Sequence, residues 1–214
     1  MVGRSHTDRR GQAHTLEGVV GGLLILIAVL FALEAIIITP TTSGAVDPGV
    51  REELRDQGDD ILAITAENET LGLSQMVRYW DQSDRTFAGE AAVNPRIGYG
   101  ANHPPGAFGE MLNQTFTSRS RQYNVELRYQ GKNVTDERGR LRMVYRGEAS
   151  EGAVVASHRV TLYDNQSLSG PYAENAELWE YSTNATNNED GYYPIPNAID
   201  GPVYNVVEVR VIVW

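Results

Sequence analysis

Val203-Tyr-Asn-Val-Val-Glu-Val-Arg-Val-Ile-Val-Trp214 is the strongest strand signal in the chain. Apolar residues recur at alternate positions, the period at which one face of a pleated strand is buried. A terminal strand this apolar is expected inside a sheet, since at an edge it would invite pairing with a neighbouring subunit. Working back from it, Ala153 to Tyr163, Leu141 to Tyr145 and Tyr123-Asn-Val-Glu-Leu-Arg-Tyr129 also read as strands. Turn signals separate them at Gln130-Gly131, Arg138-Gly139, Gly147 and Gly152. The expectation is an antiparallel sheet of about four strands.

Helical signals precede the strands. Pro48 can open a helix with Asp47 as its cap, and Val50, Leu54, Ile61, Leu62 and Ile64 give it a partial apolar face. Gly58 is expected to weaken its middle. A short helix is expected from Leu73 to Trp80. Another is expected from Pro105 to Ser118, using Phe108, Met111, Leu112 and Phe116. Helices followed by an antiparallel sheet define an α+β domain over residues 48–214, joined to what precedes it by a linker at 40–47.

The front of the chain differs. Arg4, Arg9 and Arg10 lead into Gly11-Gln12-Ala13-His14-Thr15-Leu16-Glu17. Gly18 to Ile38 then carries a single charge, Glu34, and its 21 residues span about 30 Å as a helix. Pro40 ends it. The expected organisation is a cytoplasmic basic leader at 1–17 and a transmembrane helix at 18–39, with the rest extracellular. The three arginines before the span place the N-terminus inside. A cleaved secretory signal is the competing reading, with Ser43-Gly44-Ala45 as its site, but the apolar run is too long for it.

Arg-Gly-Gln-Ala-His-Thr-Leu-Glu before an unbroken apolar helix resembles the class III signal of type IV pilins and archaeal pilin-like proteins. It is also similar to uncharacterised haloarchaeal membrane proteins that share this start. The resemblance covers residues 9–38. It implies cleavage on the cytoplasmic side and retention of the helix in the mature protein. Cleavage after Gln12 would make Glu17 the fifth mature residue, the family's position for a Glu; cleavage after Gly11 would make it the sixth. A carboxylate at the edge of an apolar helix is costly unless paired, and the α-amino group of a neighbouring subunit could pair with it. The plainer alternative is that Glu17 marks the membrane boundary. Gly18 with Gly22, and Ala28 with Ala32, form small-xxx-small pairs that let membrane helices approach closely.

Composition fits an exported domain. The 28 acidic residues outnumber 18 basic ones, for a net charge of −10, and Lys132 is the only lysine. Acidic, lysine-poor surfaces stay hydrated where salt screens charge heavily, although a GC-rich genome also favours Arg over Lys. The charge excludes nucleic acid as a partner. The absence of cysteine excludes disulfides and thiolate metal sites. Asn68, Asn113, Asn133, Asn165 and Asn184 each begin an Asn-x-Ser/Thr acceptor site for glycans, where composition alone predicts about one or two.

Gly170 to Pro202 has little periodicity and carries Tyr172, Trp179, Tyr181, Tyr192 and Tyr193 beside the polar run Thr183 to Asp190. Trp179, Tyr181, Tyr192 and Tyr193 are candidates for contact with a sugar or a partner, and the alternative is a flap whose aromatics pack on the sheet. No catalytic constellation is visible. His6, His14, His103 and His158 lack metal-ligand spacing, Asn187 to Asp190 does not match a calcium loop, and no phosphate loop or serine elbow occurs. No cofactor, metal site or enzyme activity is expected. Two functions remain. One is a pilin-like structural or assembly subunit, whose helix meets membrane lipid and other pilin-like subunits. The other is a single-pass surface binding protein that does not polymerise, an adhesin or glycan-binding module, favoured by the break at Pro40 and Gly44.

Overall fold

The computed structural model describes residues 7–35, 47–68, 71–132, 138–171, 173, 176–184 and 191–214; in the first of these stretches, side chains are described from Leu16 to Leu30. The chain divides into two units, Met1–Ala45 and Val46–Trp214. The first contains α1 (Thr7–Ala35), a helix of 29 residues, or about 43 Å. It starts inside the stretch read as a leader and runs unbroken through Gly11 and Gln12, since a helix once nucleated extends through residues that do not forbid it. Among the described residues no helix is long and apolar enough to cross a membrane. The expected linker at 40–47 and the helix stop at Pro40 fall outside the described residues, Asp47 excepted.

The second unit, the head, is α+β. Its elements are α2 (Pro48–Ala66), α3 (Leu73–Val77), β1 (Trp80–Asp81), β2 (Thr86–Phe87), α4 (Gly106–Thr115), β3 (Tyr123–Tyr129), β4 (Gly139–Val144), β5 (Val154–Tyr163) and β6 (Val203–Val213). β1 and β2 form a small antiparallel ribbon, and the main sheet runs β4-β3-β6-β5 with every pair antiparallel. The C-terminal strand is therefore internal, flanked by β3 and β5. Its Val207, Val209, Val211 and Val213 are buried, and they face Leu127, Val125 and Tyr123 on one side and Val160, Ala156 and Val154 on the other.

Helix α2 forms as its sequence indicates. Pro48 occupies the first turn, and the Asp47 carboxylate accepts a hydrogen bond from the Gly49 amide at 2.7 Å. Leu54, Gly58, Ile61, Leu62 and Thr65 make its buried stripe, whereas Ile64, expected on the apolar face, is exposed. Gly58 is not a weak point. A Cβ there would lie 2.7 Å from the Ala156 Cβ, so the bare glycine lets α2 approach β5. The helix expected at Leu73 to Trp80 stops at Val77, because Trp80 pairs with Phe87 in the ribbon. The helix expected to reach Ser118 ends at Thr115 and continues as a 3-10 turn at Thr117–Arg119.

The two faces of the sheet differ in chemistry. One joins the helices in a single core with Phe87, Tyr99, Phe108, Leu112, Tyr193 and Ile195. Strand alternation puts Glu126, Arg128, Arg140, Arg142, Ser157, Arg159, Glu208 and Arg210 on the other. That face carries five arginines against two glutamates in a chain whose net charge is −10.

Candidate functional site

The sequence leaves the aromatic segment as either a packed flap or a contact surface, and the structure disperses its four contact candidates. The Tyr193 hydroxyl, fully buried, donates to the Val77 carbonyl at 3.0 Å. Tyr181 is also buried. These two are core residues and not surface contacts, because this segment supplies rings that fill the space between α3, the ribbon and β6. Tyr192 is half-buried against Trp80, with the Arg85 guanidinium 5.8 Å from its ring centre. Trp179 alone is open, at 58% exposure, and its indole N–H donates to Glu177 Oε2 at 2.7 Å. Further along, Asn205 anchors the segment by donating from Nδ2 to the carbonyls of Pro196 at 2.8 Å and Gln130 at 3.0 Å.

The other sequence candidates are scattered. Asn68, Asn165 and Asn184 are exposed, while Asn113 is half-buried within α4, a poor setting for a glycan acceptor. Asn133, Tyr172 and Asn187 to Asp190 lie outside the described residues. Gly11 and Gln12 are in α1 beyond its described side chains, and Glu17 is exposed on that helix. The His103 ring lies 2.9 Å from the Pro104 carbonyl oxygen. Among the described residues no group of His, Asp and Glu is placed to hold a metal ion.

A different site emerges where β4 meets the Asn94–Gly98 loop. The loop is built locally: Asn94 Oδ1 accepts from the amides of Arg96 and Ile97 at 2.9 and 3.2 Å, and Gly98 closes the turn by donating to the Asn94 carbonyl. It is then fastened to the end of β4, where Tyr99 N donates to Met143 O at 2.8 Å and Tyr145 N donates to Ile97 O at 3.2 Å. Gly98 has a φ of +57°, and a Cβ there would sit 2.1 Å from the Met143 carbonyl oxygen. Only glycine permits this closure. Between loop and strand lies an open cleft of about 590 Å³, lined by Pro95, Arg96, Ile97, Arg140, Leu141, Arg142 and Tyr145.

Its electrostatics are one-sided. Arg142 lies over the Tyr145 ring at 4.0 Å, a cation–π contact that holds the guanidinium in place. Glu126, whose side chain is only 8% exposed, is shared between Arg140 at 3.5 Å and Arg128 at 3.7 Å. One carboxylate thus serves two guanidinium groups. Neither Arg96 nor Arg142 joins an ion pair among the described residues, and Arg142 Nε is buried without a hydrogen-bond partner. The Tyr145 hydroxyl donates to Glu148 at 2.5 Å, and that bond holds its pKa above the ordinary tyrosine value. The cleft can accept an oxyanion by charge-assisted hydrogen bonds. Its lining carries no carboxylate and no histidine, and Tyr145 supplies its one hydroxyl. A second cleft, of about 680 Å³, lies between α2 and the start of β5; there Arg51 and Arg55 are matched by Glu52 and Asp56, and it lacks this bias.

A family match extends over residues 10–213, taking in most of α1 and the head as far as Val213. The chain belongs to DUF7288, a family of unknown function. No curated protein and no solved structure matches it. The DUF7288 match treats helix and head as one unit. Its span includes every residue of the arginine cleft as well as Gly11, Gln12 and Glu17.

Proposed function

We propose that this DUF7288 chain is a membrane-anchored, pilin-like subunit of a cell-surface filament or complex, with its N-terminus in the cytoplasm and its head outside. The observation that carries the reading is the surface of α1. Ten large apolar side chains between Leu16 and Leu30 stand 43–68% exposed. Covering them is worth roughly 10 kcal/mol, as much as the whole stability of a typical domain. Exposed apolar surface on that scale calls for a cover, and a bilayer would supply one. The apolar run read from the sequence, Gly18 to Ile38, continues past the described side chains and matches a bilayer core. Family membership that spans both helix and head supports retention of the helix in the working protein. The head also has its own core, closed by an internal C-terminal strand, as an exported domain without disulfides requires.

Sequencing the N-terminus of the mature protein, together with membrane fractionation, tests this reading. Expected is a start at Gln12 or Ala13 on a membrane-bound chain. A retained Met1, or a released chain starting near Val46, would count against it. A non-polymerising surface binding protein is the second reading, favoured by the arginine cleft, which is a ligand-type feature. Loss of surface filaments on deletion of the gene decides for the subunit. Intact filaments together with lost ligand binding decide for the receptor.

A further inference from the structure

We infer that the cleft between the Asn94–Gly98 loop and β4 is a binding subsite for a carboxylate carried on a small ring, the uronic-acid class of saccharide. This goes beyond the anchor reading and does not depend on it. Three features carry the assignment. First, three arginines line the cleft and no carboxylate does. Arg140 shares the Glu126 carboxylate with Arg128, while Arg96 and Arg142 have no ion-pair partner among the described residues. Second, Arg142 is preorganised. Tyr145 holds it at 4.0 Å, which fixes the guanidinium beside the cleft before any ligand arrives. Third, Pro95 and Ile97 give the same cleft an apolar wall, suited to the C–H face of a sugar ring and of no use to a bare inorganic ion.

The volume, about 590 Å³, lies within the range of small-molecule sites. The mode of contact also suits a salty solvent. Long-range attraction is screened there, whereas paired N–H···O bonds from a planar guanidinium act at contact distance.

The test is calorimetric titration of the full chain in detergent with glucuronate, with glucose as its neutral counterpart, and with inorganic phosphate. Glucuronate is expected to bind, and glucose to bind at least about tenfold more weakly. Arg142→Met is expected to weaken glucuronate by about tenfold or more and Arg140→Lys by severalfold, because lysine keeps the charge and loses the fork. If Arg142→Met lowers the melting temperature, the exposed Arg96→Ala serves in its place, with the same loss expected. The proposal is overturned by absence of glucuronate binding, by phosphate binding as tightly as glucuronate, or by unchanged glucuronate affinity in a folded Arg142 or Arg96 variant. It is equally overturned if these variants dissociate an oligomer that glucuronate does not bind, which would make the cleft a subunit contact.

Discussion

Helix α1 leaves ten large apolar side chains 43–68% exposed, whereas α2 turns Leu54, Ile61 and Leu62 into the head and shows water its charges. Both are long helices, and they differ in where the cover for their apolar surface comes from. α2 needs only a stripe, because its own sheet lies against it and Gly58 admits contact with Ala156. From Gly18 to Leu30, α1 is apolar on all sides, a pattern that suits a solvent that is itself apolar. The same hydrophobic effect therefore makes α2 part of a core and, on the function proposed, makes α1 an anchor. Damage to the two should register in different measurements.

The largest effect is expected from deleting 203–214. The two neighbours of β6 would lose their shared partner, and the head should show no cooperative unfolding transition by circular dichroism, while α1 still directs the chain to membranes. Next comes a reciprocal pair. Leu62→Ala should cost the head about 2–5 kcal/mol in denaturant unfolding and leave membrane association unchanged. Leu24→Arg should reverse this pattern, with a penalty of about 2.5–3.5 kcal/mol on membrane insertion and an unchanged head transition. If either variant moved both readouts, the division between the helices would fail.

Gly58→Val is expected to cost about 1–3 kcal/mol of head stability by forcing α2 away from β5. The smallest effect concerns the buried phenols. Burial raises the pKa of Tyr193, Tyr99 and Tyr204 above the ordinary tyrosine value. The unfolded chain releases these protons near pH 10 while the folded head retains them. Stability is therefore full below about pH 10 and falls as pH rises beyond it. Tyr193→Phe should lower stability at neutral pH by about 1 kcal/mol, through loss of the bond to Val77, and make the alkaline decline shallower. Equilibrium unfolding between pH 7 and 12 checks both signs.

The main sheet and α2 were legible because their period is long and regular. Val207 to Val213 alternates cleanly, and Leu54, Ile61 and Leu62 recur at helical spacing. The ribbon of β1 and β2 was not legible, since two residues per strand carry no period. Gly58 was misjudged because intrinsic propensity penalises it, while its packing role depends on Ala156 in a strand far along the chain. The aromatic segment was half read. Its packing alternative describes Tyr181 and Tyr193, but which rings turn inward depends on carbonyl acceptors, such as that of Val77, contributed by a distant element. The arginine cleft was missed altogether. Arg140-Leu-Arg142 reads as the solvent side of a strand, and its other wall reaches it only through backbone bonds across Gly98. The available hint was two alternating arginines followed by a tyrosine in an otherwise acidic chain.

The most direct test of the central claim is flotation on a density gradient with lipid vesicles, comparing the full chain with residues 46–214. The account predicts that the full chain rises with the lipid, and that the shorter chain stays at the bottom while its head melts at the same temperature. A full chain that remains at the bottom as a soluble monomer would contradict it.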